Sequence, residues 1–301
     1  SNKILAEAIC SYIGVSLANT SLRRFADREI FVEINENIRG EDVFIIQSTN
    51  GPSENIIELA LMTDAAVRAS ASTVNIIMPY FGYGRQDRKD QPRVPISSRV
   101  MIDIFTSMGA DRIVTVDLHA DQIEGFFSIP VDNIYSSTIL MSDMWRQGYP
   151  DQVIVSPDVG GVVRARAYAR RINANLAIID KRREKPGSSE VMNIIGDVSN
   201  HHCIIVDDII DSGGTICNAA QALIDVGAIS VDAYVTHGVL SGSAVSNISN
   251  SPLSSLVTTN SIKATEAVNM SSNIRQISIA PIIGEAIRRV HMLSLIHISE
   301  P

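Results

Sequence analysis

The stretch CIIVDDIIDSGGTICNAAQALIDVG, from Cys203 to Gly227, decides the fold of this chain. It opens on an apolar run and two acids, which predicts a buried strand that ends at Asp207 and Asp208. The last fourteen residues have apolar side chains at helical spacing and close on Gly227, a helix-stop signal. A strand followed at once by a helix is the unit from which parallel α/β sheets are built.

The same unit recurs along the whole chain. Further strand candidates are the apolar runs DVFIIQS, TVNIIMPYF, DRIVTVDLH, QVIVSPD, LAIID and VDAYVTHG. The segments between them have amphipathic helical spacing, as in ENIIELALMTDAAVRASAS, SSRVMIDIFTSMG and VGGVVRARAYARRINA. Because these strands are apolar nearly throughout, we predict an α/β fold with mostly parallel sheets flanked by helices.

The order strand, helix, strand, polar loop, strand occurs twice, near residues 41–119 and again near 153–238. This duplication and a length of 301 residues predict two similar domains. We place an N-terminal domain at 1–136, a C-terminal domain at 137–280, and a helix at 281–301 that packs back on the N-terminal domain. We expect the last residues, SLIHISEP, to be non-native.

Composition narrows the classes of protein. Hydrophobic residues make up 45% of the chain and the formal net charge is −8, which disfavours a general nucleic-acid binder with a basic face. No apolar run approaches the ~18 residues of a membrane span, and Glu7 interrupts any signal-peptide core. The three cysteines form no CxxC pair. We therefore predict a cytoplasmic protein without nucleic-acid or membrane partners.

The loop from Asp211 to Thr215, with the sequence DSGGT, has the features of an anion site. Gly213 and Gly214 let successive backbone N–H groups turn inward, and the helix that follows adds partial positive charge. Ser212 and Thr215 add hydroxyl donors. The alternative is an ordinary strand-to-helix turn in which Thr215 only caps the helix.

The two acids before this loop favour a ligand over a plain turn. Adjacent carboxylates at the end of a buried strand are costly unless something uses them. A ligand with a phosphate and vicinal hydroxyls would use both features, because the amides would hold the phosphate while Asp207 and Asp208 accept hydrogen bonds from the hydroxyls. A sugar phosphate, specifically a ribose 5-phosphate group, meets both requirements.

The segment IIVDDIIDSGGT resembles the phosphoribosyl-diphosphate (PRPP) binding loop of type I phosphoribosyltransferase-like proteins. FGYGRQDRK, VTVDLHADQIEGFF, VSPDVGGVVRARAYA and IIDKRR resemble the ribose-phosphate diphosphokinase family, in the expected order from about Arg24 to His291. The resemblance implies two similar phosphoribosyltransferase-like domains. It also implies the reaction ATP + ribose 5-phosphate → AMP + PRPP, which serves nucleotide, histidine and tryptophan biosynthesis.

The resemblance further implies roles for particular residues. The positions that match the family's ATP contacts are Asp27, Glu29, Arg85, Gln86 and Asp87. The positions that match its ribose 5-phosphate site are Asp207, Asp208, Asp211, Ser212, Gly213, Gly214 and Thr215. By itself, a charge run such as RQDRK is more typical of a solvated face.

His119 and Asp158 match the positions at which the family holds Mg²⁺. Such a sparse pair is sufficient, because magnesium retains waters and takes phosphate oxygens from its substrates. Alone, a histidine in VTVDLH is more often a satisfied structural residue. Asp117 lies two residues before His119, so we expect both side chains on one face of a strand.

Lys181 and Arg183, in DKRREKPGSSE, match the catalytic lysine and arginine of a loop that closes over the family's active site. Without the resemblance this segment would be interpreted as a solvated loop. Arg28 departs from the family, which more usually has glycine at that position.

Two other functions stay open. A phosphoribosyltransferase would share the PRPP loop, but the RQDRK and DKRR segments and the duplicated architecture disfavour it. A non-catalytic regulatory subunit would be expected to lose the loop lysine, the metal histidine or the PRPP loop, whereas this chain keeps all three. The family usually forms dimer-based homo-oligomers, often hexamers, and we expect one here.

Overall fold

The computed structural model describes residues 1–182 and 191–294, apart from the side chains of Lys181, Arg182 and Val191. The described chain forms two compact units. Unit 1 comprises Ser1–Tyr135, Ser261–Lys263 and the chain from Ser278 onward, and unit 2 comprises Ser136–Asn260 and Ala264–Ile277. The short return of Ser261–Lys263 to unit 1 is not part of the ranges that the sequence suggested.

The first half of the chain builds most of unit 1. Its elements in chain order are α1 (Lys3–Ile13), β1 (Thr20–Arg24), β2 (Ile30–Ile34), β3 (Asp42–Ile46), α2 (Glu54–Arg68), β4 (Thr73–Met78), α3 (Ser97–Ser107), β5 (Arg112–Val116), a 3₁₀ helix (Asp121–Phe126) and β6 (Val131–Ile134). Strands β1 and β2 form a separate antiparallel hairpin. The other four strands form a parallel sheet in the order β3-β4-β5-β6.

The remaining elements build unit 2 and end in a helix of unit 1. In chain order they are α4 (Ser137–Gln147), β7 (Gln152–Ser156), α5 (Val162–Ile172), β8 (Asn175–Arg182), β9 (Val191–Ile195), β10 (His202–Ile210), α6 (Gly214–Asp225), β11 (Ser230–Gly238), α7 (Ala244–Ser249), β12 (Ser255–Thr259), α8 (Glu266–Met270), β13 (Ile274–Ile277) and α9 (Ala280–His291). Within unit 1, α9 packs against α1.

The sheet of unit 2 has the strand order β13-β12-β11-β10-β7-β8-β9, and every neighbouring pair is parallel except β8 and β9. Alternate residues of each inner strand point to opposite faces. Cys203 and Ile205 of β10 therefore join a core with α6 and α7, while Ile204 and Val206 join a second core with α4 and α5. Helices cover both faces, which explains why these strands are apolar nearly throughout.

The predicted α/β class with mostly parallel sheets is confirmed, and each strand candidate from the sequence corresponds to an observed strand. Six strands were not among the candidates, namely β1, β2, β6, β9, β12 and β13. They are four or five residues long, and several lie at a sheet edge or in the separate hairpin. Within the described ranges, no helix has the length and apolar character to cross a membrane.

Gly82, shortly after β4, allows two backbone segments of unit 1 to approach closely. Its N–H donates to Thr49 Oγ1 at 2.8 Å, and a Cβ at this position would lie 2.2 Å from the Thr49 carbonyl oxygen. The obstacle is backbone, so it cannot turn away as a flexible side chain would. The segment that leads from β4 to Arg85 and Gln86 therefore depends on this glycine.

We expect Gly82→Ala to destabilise unit 1 by about 2 kcal/mol, as overpacking of a well-filled site does. Thermal unfolding should show a fall in Tm on the order of 5 °C for a domain of this size. Gly125→Ala is the matched control, because nothing lies within 4 Å of a Cβ placed there. An unchanged Tm for Gly82→Ala would show that the backbone can yield at this contact.

Candidate active site

The centre of the candidate site is the end of β10. The sequence predicted that this strand ends at Asp207 and Asp208, which is wrong, because β10 continues to Ile210. Its pairing with β11 extends to Gly238, whereas its pairing with β7 stops at Ile205. Both acids therefore lie beyond the last residue that pairs with β7. That side of β10 is open where the carboxyl ends of the parallel strands lie, the usual place for ligands in such sheets.

Asp208 is compensated by a cation that the sequence analysis did not single out. Asp208 is buried, with 6% of the residue's surface exposed. Arg164 Nη2, on α5, lies 3.5 Å from Asp208 Oδ1. Arg164 is one of four arginines in α5, and nothing in their spacing distinguishes it as a partner of a residue 44 positions later. Arg164 is half-buried, whereas the other three arginines of α5 are exposed.

Asp207 is compensated differently. Burial, followed by repulsion from Asp208 and a hydrogen bond between the two side chains, raises the pKa of Asp207 to about 8, although Arg164 opposes the shift. The Asp208 N–H donates to Asp207 Oδ1 at 2.9 Å. The pair therefore retains a proton near neutral pH. It can offer both a donor and an acceptor to a ligand, as carboxyl pairs do elsewhere.

The loop after β10 adopts the conformation that an anion site needs. Gly213 is the N-cap of α6 and has φ +80°, a left-handed conformation that favours glycine. A Cβ at Gly213 would also lie 3.4 Å from Ile248 Cγ1. Gly214 differs, because a Cβ there would meet only Ser212 Oγ at 3.9 Å. Glycine at position 213 is thus required by the left-handed backbone conformation. Gly214 has no such requirement, but its missing side chain leaves space beside the first turn of α6.

The N-terminus of α6 receives no cap from its own N-cap residue, because Gly213 has no side chain. Thr215 is exposed and lies inside the helix, so the alternative in which Thr215 only caps is wrong. Ser212 is exposed as well. The leading N–H groups of a helix carry partial positive charge and lack helical partners, so this turn can hold a phosphate.

The third acid, Asp211, is held by a neighbouring loop. Asp211 Oδ1 accepts a hydrogen bond from Ser241 Oγ. The acids beside the candidate anion site differ in their surroundings: an arginine balances Asp208, Asp207 retains a proton, and a serine hydroxyl donates to Asp211 without neutralising it. The negative charge beside the first turn of α6 is therefore smaller than three free carboxylates would give.

Asp158 lies at the same end of the sheet, just after β7, which is the neighbour of β10. Its side chain is exposed, and its Oδ1 accepts a hydrogen bond from the Gly161 N–H at 2.9 Å. Ser156 Oγ donates to the Asp158 carbonyl at 2.7 Å. These contacts fix the loop that leads into α5 and hold the carboxylate at its start.

His119 and Asp117 of unit 1 do not share a strand face as predicted. β5 ends at Val116, so both residues lie after the strand. Asp117 has φ +42°, an uncommon left-handed conformation for a residue with a side chain, and is 5% exposed. Strained residues of this kind cluster at functional sites. The turn brings His119 to the surface, where its side chain is exposed.

The segment with Arg85, Gln86 and Asp87 is anchored to the start of α3. The Gln86 carbonyl accepts bonds from the Ser98 N–H at 3.2 Å and Ser98 Oγ at 3.1 Å. Gln122 Nε2, on the 3₁₀ helix, donates to Asp87 Oδ2. Arg85 and Gln86 are exposed and Asp87 is half-buried. The charge run RQDRK is therefore held by specific contacts.

Asp27 and Glu29 are exposed at the turn of the β1–β2 hairpin. The Glu29 N–H donates to Asp27 Oδ1 at 3.1 Å. Arg28 between them has φ +75°, the conformation that glycine adopts without strain. Arg28 therefore adopts the backbone conformation that suits the family's usual glycine, and this left-handed conformation is strained for a residue with a side chain.

The predicted catalytic pair is only partly described. Lys181 belongs to β8 and pairs with Met192 of β9 through the backbone. Arg183 lies outside the described residues. Unit 2 therefore brings together Asp158, the acids of β10 and the loop after it. Unit 1 carries His119 and, on two separate elements, the predicted ATP residues.

Comparisons with known proteins agree with this geometry. Residues 1–109 match a family model described as the N-terminal domain of ribose phosphate pyrophosphokinase. Residues 180–296 match a second, described as the phosphoribosyl synthetase-associated domain. The resemblance found in the sequence is therefore confirmed.

Similar proteins cover nearly the whole chain. Two relatives named ribose-phosphate pyrophosphokinase, from Rhizobium meliloti and Agrobacterium fabrum, are 56% and 57% identical, and each match covers 96% of this chain and 94% of the relative. The crystal structure of phosphoribosylpyrophosphate synthetase from Mycobacterium smegmatis is 37% identical, with a TM-score of 0.91 over 97% of this chain and 96% of that one. The chain belongs to the ribose-phosphate pyrophosphokinase family.

Proposed function

We propose that this protein transfers the β,γ-diphosphoryl group of ATP to the C1 hydroxyl of ribose 5-phosphate, giving PRPP and AMP. The C1 oxygen attacks the β-phosphorus, and the bond from that phosphorus to the α,β-bridging oxygen breaks. AMP leaves with the bridging oxygen and its electron pair, and the hydroxyl proton passes to solvent. The observation that carries the proposal is the glycine-capped first turn of α6 beside the acid pair of β10.

The sugar would bind entirely to unit 2. Its 5-phosphate would rest on the backbone N–H groups of Gly213 and Gly214 and on the hydroxyls of Ser212 and Thr215. Its vicinal hydroxyls would bind the acid pair, where the less buried Asp207 is the better placed contact. An anchor at each end fixes the C1 hydroxyl for attack, and such positioning supplies much of the rate in phosphoryl-type transfer.

The nucleotide would bind through unit 1 residues. Arg85 has a planar, permanently charged group that can stack on a purine or contact phosphate. Gln86 has an amide that can hydrogen-bond to a base edge. Asp27, Glu29 and Asp87 complete the proposed ATP contacts. Exposure of Arg85, Gln86, Asp27 and Glu29, with anchored backbones around them, supports this role.

Mg²⁺ fits the donor set as an ion bound mainly by substrate. No three His, Cys, Asp or Glu side chains in the described ranges lie together as a metal site. A hard cation would therefore take most of its oxygens from ATP and water, with His119 and Asp158 as the proposed protein contacts. When bound, it would neutralise triphosphate charge and polarise the reacting phosphorus.

Lys181 and Arg183 would stabilise the charge that develops on the transferred group. This role rests on the family resemblance and on the position of Lys181 at the end of β8, the second strand from β10 in the sheet. Cations aimed at developing charge in a site closed to water act more strongly than in solution.

The comparisons favour this enzyme over the two alternatives. Two relatives that match 96% of this chain are named ribose-phosphate pyrophosphokinase, and a structure that matches 97% of it is a phosphoribosylpyrophosphate synthetase. A cytoplasmic location and a dimer-based homo-oligomer remain part of the proposal. Cys10 and Cys203 are buried and Cys217 is half-buried, all as free thiols, which is compatible with a reducing compartment.

The proposal is tested by measuring AMP released from ATP with and without ribose 5-phosphate, in the presence of Mg²⁺. We expect AMP to form only with the sugar and in equal amount to PRPP. Phosphoribosyltransferase activity would instead appear as consumption of PRPP with a nucleobase. The absence of sugar-dependent AMP in a folded, metal-supplied protein would overturn the proposal.

Lys181→Ala should lower kcat by about 100-fold or more, the size of effect seen when one charge-stabilising group is removed. We expect little change in Tm. Lys3→Ala is the control, because Lys3 is an exposed lysine on α1 whose side chain is 81% accessible. Turnover of Lys181→Ala within a factor of two of wild type would remove this lysine from the mechanism.

Asp207→Asn tests two properties of this residue, its raised pKa and its proposed contact with the sugar. The pKa of Asp207 is raised from 3.8, its ordinary value, to about 8 in the folded protein. Between these values the folded protein keeps a proton on Asp207 that the unfolded chain has released. Stability of the wild type therefore falls as pH rises between these values. The asparagine carries no such charge and keeps the oxygen that accepts the Asp208 N–H.

We expect the Tm of Asp207→Asn, relative to wild type, to be higher at pH 8 than at pH 5 by several degrees, since three pH units at ~1.4 kcal/mol each set an upper limit of ~4 kcal/mol. At the same time the KM for ribose 5-phosphate should rise about tenfold. Asp225→Asn, an exposed acid on α6, should shift neither quantity. A pH-independent Tm difference would contradict the raised pKa.

A further inference from the structure

We propose that Ser241 and Asn247 are positioning residues that hold the Asp211–Thr215 loop ready for an anion. Neither touches the reacting atoms. The inference rests on the proposed function, since it assigns the loop to the 5-phosphate. It concerns the segment between β11 and the end of α7, which is separated from the loop by the whole of α6 and β11 in the sequence.

The backbone of this segment is hydrogen-bonded to the start of the Asp211–Thr215 loop. The Val239 and Leu240 N–H groups both donate to the Ile210 carbonyl, at 2.9 and 3.2 Å. The next N–H, of Ser241, donates to the Asp211 carbonyl at 3.1 Å. Three consecutive amides therefore fix the last residue of β10 and the first residue of the loop.

Two side chains continue this pattern into the loop itself. Ser241 Oγ donates to Asp211 Oδ1, and Asn247 Nδ2 donates to the Ser212 carbonyl at 3.0 Å. Ser241 and Asn247 are both exposed. Hydrogen bonds at exposed positions add little to global stability, so their effect is on the conformation of the loop.

The back of the loop is closed by α7. Ile248 is fully buried, and its Cγ1 lies 3.4 Å from where a Cβ on Gly213 would be. The Ala244 carbonyl lies 3.6 Å from the same point. The left-handed turn at Gly213 is thus packed on one side, which leaves its opposite side for a ligand.

The segment holds backbone strain of its own. Leu240 has φ +48°, in the left-handed region, and its side chain is buried with 7% exposed. Such a conformation persists only where the surroundings over-determine it. Here the hydrogen bonds to β10 and the burial of Leu240 set the direction in which Ser241 meets Asp211.

The physical consequence concerns charge. A free Asp211 carboxylate beside a bound phosphate would repel it, and the repulsion grows in a partly buried site. The hydroxyl of Ser241 fixes one oxygen of this carboxylate and shares its charge. Without that bond the carboxylate can turn and the Ser212 peptide can tilt, and both changes weaken binding at the phosphate end of the sugar.

We expect Ser241→Ala to raise the KM for ribose 5-phosphate about tenfold, while kcat and the KM for ATP change by less than a factor of two. Calorimetric titration with ribose 5-phosphate should give the same fold-change in Kd. Ser241→Thr keeps the hydroxyl and should restore both values to within a factor of three. Asn247→Ala should act in the same direction and provides a second variant.

Ser243→Ala is the matched control, because Ser243 is an exposed serine of the same segment whose side chain does not cap α7. Wild-type Kd in both Ser241→Ala and Asn247→Ala would overturn the inference, and so would an equal loss in Ser243→Ala. A fall in kcat with unchanged Kd would also overturn it.

The titration separates this inference from the proposed function. If the wild type binds ribose 5-phosphate but forms no PRPP, the proposed reaction fails and the Kd values still judge Ser241. If the wild type makes PRPP and the variants match it, only the positioning role fails. If the sugar does not bind at all, both are overturned.

Discussion

The proposed site depends on one electrostatic constraint: for the N-terminus of α6 to attract an anion, the charge of three neighbouring carboxyl groups must be reduced or balanced. A helix end supplies only about half a positive charge, which full charges on Asp207, Asp208 and Asp211 would outweigh. Arg164 balances Asp208, burial keeps a proton on Asp207, and Ser241 fixes Asp211. In the proposed function, the acids can then bind a diol without repelling the phosphate.

This arrangement follows from the length of one strand. β10 pairs with β11 as far as Gly238 but loses β7 after Ile205, so its last residues are supported on one side and open on the other. A shorter β10 would place the acids in a loop, where water would keep both ionised. Because the strand continues, Asp207 and Asp208 are held rigidly and are partly desolvated, which is the source of the raised pKa of Asp207.

The α/β class and the sharp turn before α6 could be predicted because both depend on local patterns: buried strands are apolar throughout, and adjacent glycines before a helix favour a left-handed turn. The predictions were wrong where backbone geometry, and not residue type, determines the local structure. The end of β10, the exposed Thr215 and the turn at Asp117 depend on pairing and dihedral angles that residue types do not fix. Arg164 and Ser241 were missed because their partners are distant in sequence and no local pattern marks them.

The residues proposed to bind ligands lie on different kinds of element in the two units, and the proposed chemistry gives a reason. In unit 2 the residues proposed to bind the sugar lie on a central strand and on a loop fixed by β11 and α7, with backbone strain at Leu240. In unit 1 the predicted nucleotide residues lie on a hairpin and on a loop after a strand. A nucleophilic hydroxyl must be aligned closely with the phosphorus it attacks, and small displacements are costly in rate. Rigidity therefore matters most at the sugar, because contacts with its 5-phosphate and its vicinal hydroxyls would fix the position of its C1 hydroxyl.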